Sequence, residues 1–333
     1  MGVRTLRAFA YAHERVTSTP WPDPAVPHGG PIVCDGYAWL FSVAFSPRCR
    51  TRYGVDLAQL HAEVVRQARC LQAAGFAPMV LLDGLSEERK RATQLSRAAD
   101  REAKVDRWVE ALASTDPQSG VATAELAPLH ATAVFVAALA AAGVRVTVCP
   151  GEADDAVAVL ALQLGCPVLT VDSDFLVVPG LAGVVLLGRL DFVDGGDAGA
   201  GAGVRGRLFT NRGVAKALGV RAELLPYLAV LVGNDFVELT DGQLAQLLRA
   251  LMAPRTPRSI SSGRYARLLA VADALQGFAS AAMLEAAMDD AVSEHFLGKA
   301  VHTELCAAQA AYAPASTNFN VRGGPRASAP TKV

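Results

Sequence analysis

Three short, apolar runs rich in β-branched residues each end on an aspartate: Pro31-Ile-Val-Cys-Asp35, Met79-Val-Leu-Leu-Asp83 and Val168-Leu-Thr-Val-Asp172. A near-continuous apolar run belongs to a strand covered on both faces, which is the habit of parallel sheets flanked by helices. Longer stretches with apolar residues at helical spacing separate the runs. Over 56–74, Leu57, Leu60, Val64, Val65, Ala68 and Leu71 recur before Gly75 stops the segment. Strand and helix in alternation predict an α/β fold, a parallel sheet with helices on both faces. Burying these runs in one sheet gathers their terminal aspartates at one edge, where open parallel sheets bind ligands.

The same reading places helices over 37–45, 86–112, 123–142, 152–164, 211–218, 222–231 and 243–252. Strands are expected over 144–148, 168–171, 184–187 and 190–193, an extended segment over 205–209, and two or three further helices over 263–312. The glycine and alanine stretch 194–206 is a loop, since its GxGxG does not join a strand to a helix as a dinucleotide site requires. With 333 residues, 52% hydrophobic and 19% charged, the chain has enough apolar material for one substantial core. We expect a main domain over 1–250, a helical extension over 251–312 and a disordered basic tail over 313–333. The net charge of -1 identifies no partner by itself. Six cysteines without a CxxC pair argue against a zinc site or a disulfide framework. The start, Met1-Gly-Val-Arg-Thr-Leu-Arg7, lacks the apolar core of a signal peptide, and no apolar stretch is long enough to span a bilayer, so a soluble intracellular protein is expected.

Seven acids fall at strand ends or on an adjoining helix: Asp35, Asp83, Glu152, Asp154, Asp172, Asp174 and Asp235. Carboxylates drawn together repel and raise one another's pKa unless cations neutralise them. Oxygen-only donors without His or Cys nearby favour Mg²⁺ or Mn²⁺ over zinc. Two such ions, about 4 Å apart, hold the attacking and leaving oxygens of an in-line phosphoryl displacement. Asp155, one residue further along, reads as a solvated first-turn acid. The six histidines are scattered without ligand spacing, and no GxSxG nucleophile motif occurs.

On the helix expected over 86–112, Lys90, Arg97, Arg101 and Lys104 fall within a sector of about 60°, one positive ridge. Arg48, Arg50 and Arg52 form a second basic cluster. Tyr37 and Trp39, close after Asp35, are candidates for stacking a base, with core packing as the competing role for at least one of them.

Gly151-Glu-Ala-Asp-Asp155, Thr170-Val-Asp-Ser-Asp-Phe175 and Leu231-Val-Gly-Asn-Asp235, with Val33-Cys-Asp-Gly36 and Leu82-Asp-Gly84 upstream, resemble the motifs of the flap endonuclease and XPG superfamily of PIN-like nucleases. Residues 32–41, the Tyr53-Gly54 pair, 80–84 and 225–235 resemble its Asteroid branch more closely still, and the likeness extends over 1–237. The resemblance implies a PIN-like fold and a two-metal endonuclease of DNA with single-stranded flaps or overhangs, working in the nucleus and leaving a 5′-phosphate and a 3′-hydroxyl. It makes Asp35, Asp83, Glu152 and Asp154 one group of ligands to Mg²⁺ or Mn²⁺, and Asp172, Asp174 and Asp235 the other. Lys90 and Arg97 match the two basic positions that meet the scissile phosphate, Arg101 and Lys104 extend that nucleic-acid contact, and Gly2 would lie close to the strand. After Asp235 the sequence Phe236-Val-Glu-Leu-Thr-Asp-Gly-Gln-Leu-Ala245 departs from the family's Gly-x-Gly duplex-gripping hairpin, which favours single-stranded character in the substrate. Two alternatives stay open: a catalytically inactive scaffold that binds nucleic acid or a protein, and an RNA-directed nuclease of the same fold.

Overall fold

The computed structural model describes residues 3, 5–22, 29–51, 54–85, 91–113, 127–195, 202–233, 239–253 and 263–294. In chain order the first elements are α1 (Leu6–Ala12), α2 (Glu14–Thr17), β1 (Ser18–Trp21), β2 (Gly30–Asp35), α3 (Gly36–Ala44), β3 (Arg50–Thr51), β4 (Gly54–Val55), α4 (Leu57–Ala73) and β5 (Phe76–Leu82). The middle comprises α5 (Arg91–Ala113), α6 (Ala131–Ala141), β6 (Arg145–Val148), α7 (Ala153–Leu164), β7 (Val168–Thr170), β8 (Val184–Leu186), β9 (Asp191–Val193) and β10 (Gly203–Phe209). Then follow α8 (Asn211–Leu218), α9 (Leu225–Val232), α10 (Asp241–Met252), α11 (Ala266–Leu275) and α12 (Ala281–Glu294).

The main sheet has the order β1-β10-β8-β7-β2-β5-β6, with β9 paired to β10. Its five strands from β8 to β6 are parallel; in β8, β7, β2 and β5 alternate residues point to opposite covered faces, while the edge strand β6 is largely exposed. Ile32, Cys34, Val80, Leu82 and Leu169 pack with Trp39, Leu60, Val64 and Phe135 of α3, α4 and α6. Val33, Leu81, Val168 and Val184 pack on the other side with Val157 of α7, Leu228 of α9 and Val271 of α11. This two-sided cover is why the strand runs carry almost no polar residue.

The expected parallel sheet with helices on both faces is present and carries an antiparallel edge, because β10 runs antiparallel to β8, and β1 antiparallel to β10. A parallel neighbour requires a long, usually helical crossover. Between β8 and β10 the described chain offers only a 3₁₀ turn at Leu187–Arg189 and β9. The segment before Pro31, unassigned from sequence, supplies α1, α2 and β1, with Leu6, Phe9 and Ala10 of α1 buried in the core. The helix expected over 123–142 begins only at Ala131, whose N–H bonds to the Pro128 carbonyl in a turn. Residue 127 precedes a proline and is thereby disfavoured from helical geometry. Residues 86–90 and 114–126, the 313–333 tail and Cys306 lie outside the described residues.

Caps fix the helix starts nearest the sheet edge. Asp56 accepts from Ala58 and Gln59 N–H at 2.8 and 3.0 Å to begin α4, and Asp35 accepts from Ala38 N–H at 3.0 Å to begin α3. The wholly buried α9 ends on carbonyls that Arg267 of α11 satisfies. Its guanidinium donates to Val232 O at 2.7 Å and to Leu239 O at 2.8 Å, and pairs with Asp241 at 2.9 Å. Arg267 thus binds the chain on both sides of 234–238.

Candidate active site

The parallel register brings the acidic strand ends together. Cys34 lies level with both Val80 and Leu169, so Asp35 comes beside Thr170 and two residues short of Asp83 along the neighbouring strand. The Thr170 hydroxyl donates to Asp35 Oδ2 at 2.8 Å and accepts from the Asp172 N–H at 3.0 Å, linking two strand ends through one side chain. Asp172 Oδ1 in turn accepts from the Asp174 N–H at 3.1 Å. Asp174 Oδ1 accepts from the Val3 N–H at 2.6 Å, so the start of the chain is docked on the turn that carries both acids.

A second junction joins β5 to α7. Asp83 accepts from the Ala153 N–H at 2.7 Å and so caps the helix on which Glu152 is the N-cap residue and Asp154 and Asp155 lie in the first turn. Negative charge at a helix N-terminus is favoured by the helix dipole. The backbones meet as well: Gly84 N–H bonds to Gly151 O at 2.8 Å, and Leu85 N–H to Pro150 O at 3.1 Å. A Cβ on Gly84 would lie 1.9 Å from the Cys149 carbonyl oxygen, so only glycine permits this approach.

Electrostatics separate Asp35 from the others. Burial pushes its carboxyl above the usual range, the Ala38 N–H and the Thr170 hydroxyl pull it back, and the charges of Asp172 and Asp83 push it up again. Among the described residues, both charges that act on it are negative. Burial and the Asp83 charge push the Cys149 thiol above its usual range. Among the described residues no three acidic, histidine or cysteine side chains close into a ligand cage. Mg²⁺ does not require one, because it is commonly held by one or two carboxylates while water and phosphate oxygens complete its octahedron. The all-carboxylate donor set along this edge fits such an ion.

Of the residues singled out from sequence, Asp83 and Asp172 both come within electrostatic reach of Asp35. Glu152 and Asp154 flank Ala153, whose N–H donates to Asp83, and Asp174 donates its N–H to Asp172 in the turn after β7. Asp235, Lys90, Gly2 and Arg52 lie outside the described residues. Arg97 falls on α5, with its side chain also outside them, while Arg101 and Lys104 are exposed on that helix. Arg48 pairs with the buried Glu63 at 3.4 Å. Trp39 is fully buried and donates to Gln67 at 2.8 Å, which removes it from base stacking. Tyr37 instead begins a ladder with Phe41 and Phe45, ring centroids 5.8 Å apart at each step. Sequence reasoning passed over Thr170, whose signal is a hydroxyl two residues before an acid at a buried strand end, and Phe41 and Phe45, whose signal is the i, i+4, i+8 spacing from Tyr37.

Among the described residues no helix is long and apolar enough to cross a membrane. Residues 89–310 match the family model described as XPG domain containing. Protein asteroid of Drosophila melanogaster is 37% identical over 123 residues, which cover 37% of this chain and 13% of that protein. The Homo sapiens protein named single-strand DNA endonuclease ASTE1 is 28% identical over 285 residues, covering 84% of this chain and 40% of that one. The catalytic core of Rad2 in complex with DNA substrate aligns with a TM-score of 0.49 at 14% identity, covering 95% of this chain and 87% of that chain. The chain spans less than half the length of the curated relatives it matches. With well over half of its residues under the family model, the chain belongs to the XPG domain containing family.

Proposed function

We propose that the chain is a Mg²⁺- or Mn²⁺-dependent endonuclease that hydrolyses phosphodiester bonds in DNA with single-stranded flaps or overhangs. The observation that carries this reading is the convergence of Asp83 and Asp172 on Asp35 at one sheet edge, where both of their charges act on its buried carboxyl. The Asteroid relatives named single-strand DNA endonuclease support the same substrate class. Residues 1–250 form the nuclease domain in this reading and 251–312 a helical extension, whose α11 packs against α9.

Two divalent ions bound along the edge supply the positive charge that lets a phosphodiester approach the acids and that stabilises its in-line displacement. Asp35, Asp83, Glu152, Asp154, Asp172, Asp174 and Asp235 are the ligands. The chain prepares several of them in advance. Ala38 and Thr170 spend their donors on Asp35 and hold its carboxylate in one orientation, and the Ala153 N–H does the same for Asp83. Lys90, Arg97, Arg101 and Lys104 of the basic ridge orient the phosphate backbone, with Gly2 near the strand.

The test is cleavage of end-labelled flap, overhang and fully duplex DNA, with ribonucleotide versions of each, in Mg²⁺, Mn²⁺ and EDTA. Metal-dependent cuts confined to DNA with single-stranded character are expected, with EDTA abolishing them. Preference for the ribonucleotide strands identifies the RNA-directed nuclease. Tight binding without product in either metal identifies the inactive scaffold.

A further inference from the structure

We infer that Arg7 is a substrate-binding residue that contacts a phosphate of the nucleic-acid strand beside the acidic edge. The inference rests on the nuclease reading above and adds to it a residue on the N-terminal helix, away from the α5 ridge. Three bonds stitch that terminus to the turn after β7. The Val3 N–H donates to Asp174 at 2.6 Å, the Ser173 hydroxyl donates to Val3 O at 3.4 Å, and Arg7 donates through Nη1 to Val171 O at 3.0 Å. Leu6, Phe9 and Ala10 anchor the inner face of α1 in the core, which leaves Arg7 exposed on its outer side. The guanidinium is therefore fixed one residue from Asp172 by a rigid helix.

Its chemistry there is unusual for a structural arginine. Among the described residues it forms no ion pair with Asp172 or Asp174, and a single hydrogen bond to a carbonyl occupies one of its several N–H donors. A planar fork held at the border of a carboxylate cluster, with donors to spare, suits a phosphate oxygen. It also adds to what the bound ions and the basic ridge supply, since the acids by themselves repel a polyanionic strand.

The experiment measures binding of labelled overhang DNA in Ca²⁺, across a salt series, to wild type, Arg7→Gln and Arg7→Lys, alongside their thermal midpoints. Arg7→Gln is expected to bind about tenfold more weakly. Its plot of log affinity against log salt should be shallower by about 0.7, the loss of one phosphate contact on a single strand. Arg7→Lys should keep the wild-type slope. An Arg7→Gln protein with unaltered affinity and slope, whatever its thermal midpoint, means that Arg7 only ties down the Val171 carbonyl, and leaves the nuclease reading standing. A wild-type protein that binds no DNA overturns both.

Discussion

Asp35→Asn is expected to lower metal-dependent cleavage about 10³-fold, on the scale of removing one preorganised electrostatic group from a catalytic site, while the fold stays intact. Asparagine is as good an N-cap as aspartate, so Ala38 keeps its acceptor and α3 its start. What is lost is one negative charge from the set that attracts divalent ions, together with the acceptor of the Thr170 hydroxyl, where an amide nitrogen replaces Oδ2. The same substitution has a second signature in metal-free protein. The folded-state pKa of Asp35 lies above its unfolded value, so between the two the folded state binds more protons. Stability therefore falls as pH rises through that window, and Asp35 costs stability at neutral pH. Metal-free Asp35→Asn should accordingly be more stable than wild type at pH 7 and lose that advantage below about pH 4. Adding Mn²⁺ should raise the wild-type midpoint more than that of the variant. Denaturation at the two pH values, with and without Mn²⁺, reads all of this; identical responses of the two proteins would remove Asp35 from the ion site.

Gly84→Ala tests the second junction. Its new methyl would sit 1.9 Å from the Cys149 carbonyl oxygen and 3.0 Å from the Pro150 oxygen, both backbone atoms that cannot rotate away. The 83–85 and 149–151 segments must part, lengthening the Gly84 to Gly151 bond and drawing Asp83 from the Ala153 N–H. Overpacking of this kind costs about 1–3 kcal/mol. A displacement near 1 Å at a catalytic group lowers the rate by about 10²-fold. Gly151→Ala is the control, because a Cβ there meets nothing nearer than the Leu85 oxygen at 3.9 Å. Urea denaturation and cleavage rates should show Gly84→Ala impaired in both and Gly151→Ala close to wild type. Equal behaviour of the two variants would mean that the contact between these segments does not hold the acids.

The strands bearing the acids were readable because burial on both faces removes polar residues from Ile32–Cys34, Val80–Leu82 and Val168–Leu169, and the acid that ends each run marks where the sheet meets water. Strand direction was not readable. The β10 sequence has the same local pattern whichever way it pairs, and its direction is set by the tertiary pairing with β8 and β1. Helix α1 was passed over for a related reason, since seven residues carry too little periodicity to register, and its place comes from tertiary anchoring of Leu6 and Phe9. The late start of α6 was in principle legible at Pro128, whose effect on the preceding residue went unused. At the site, the aspartates announced themselves by type and position. Thr170 did not, because its role depends on the β2–β7 register that brings Asp35 beside it.

The central claim is that acids distant in sequence bind divalent cations together at the carboxyl edge of the parallel strands. Anomalous diffraction from crystals of the protein soaked in Mn²⁺ tests it most directly. Two Mn²⁺ peaks about 4 Å apart are expected, the first ringed by carboxylates of Asp35, Asp83, Glu152 and Asp154 and the second by those of Asp172, Asp174 and Asp235. A well-diffracting soaked crystal with no manganese at that edge, or with manganese only on unrelated surface acids, would contradict the account.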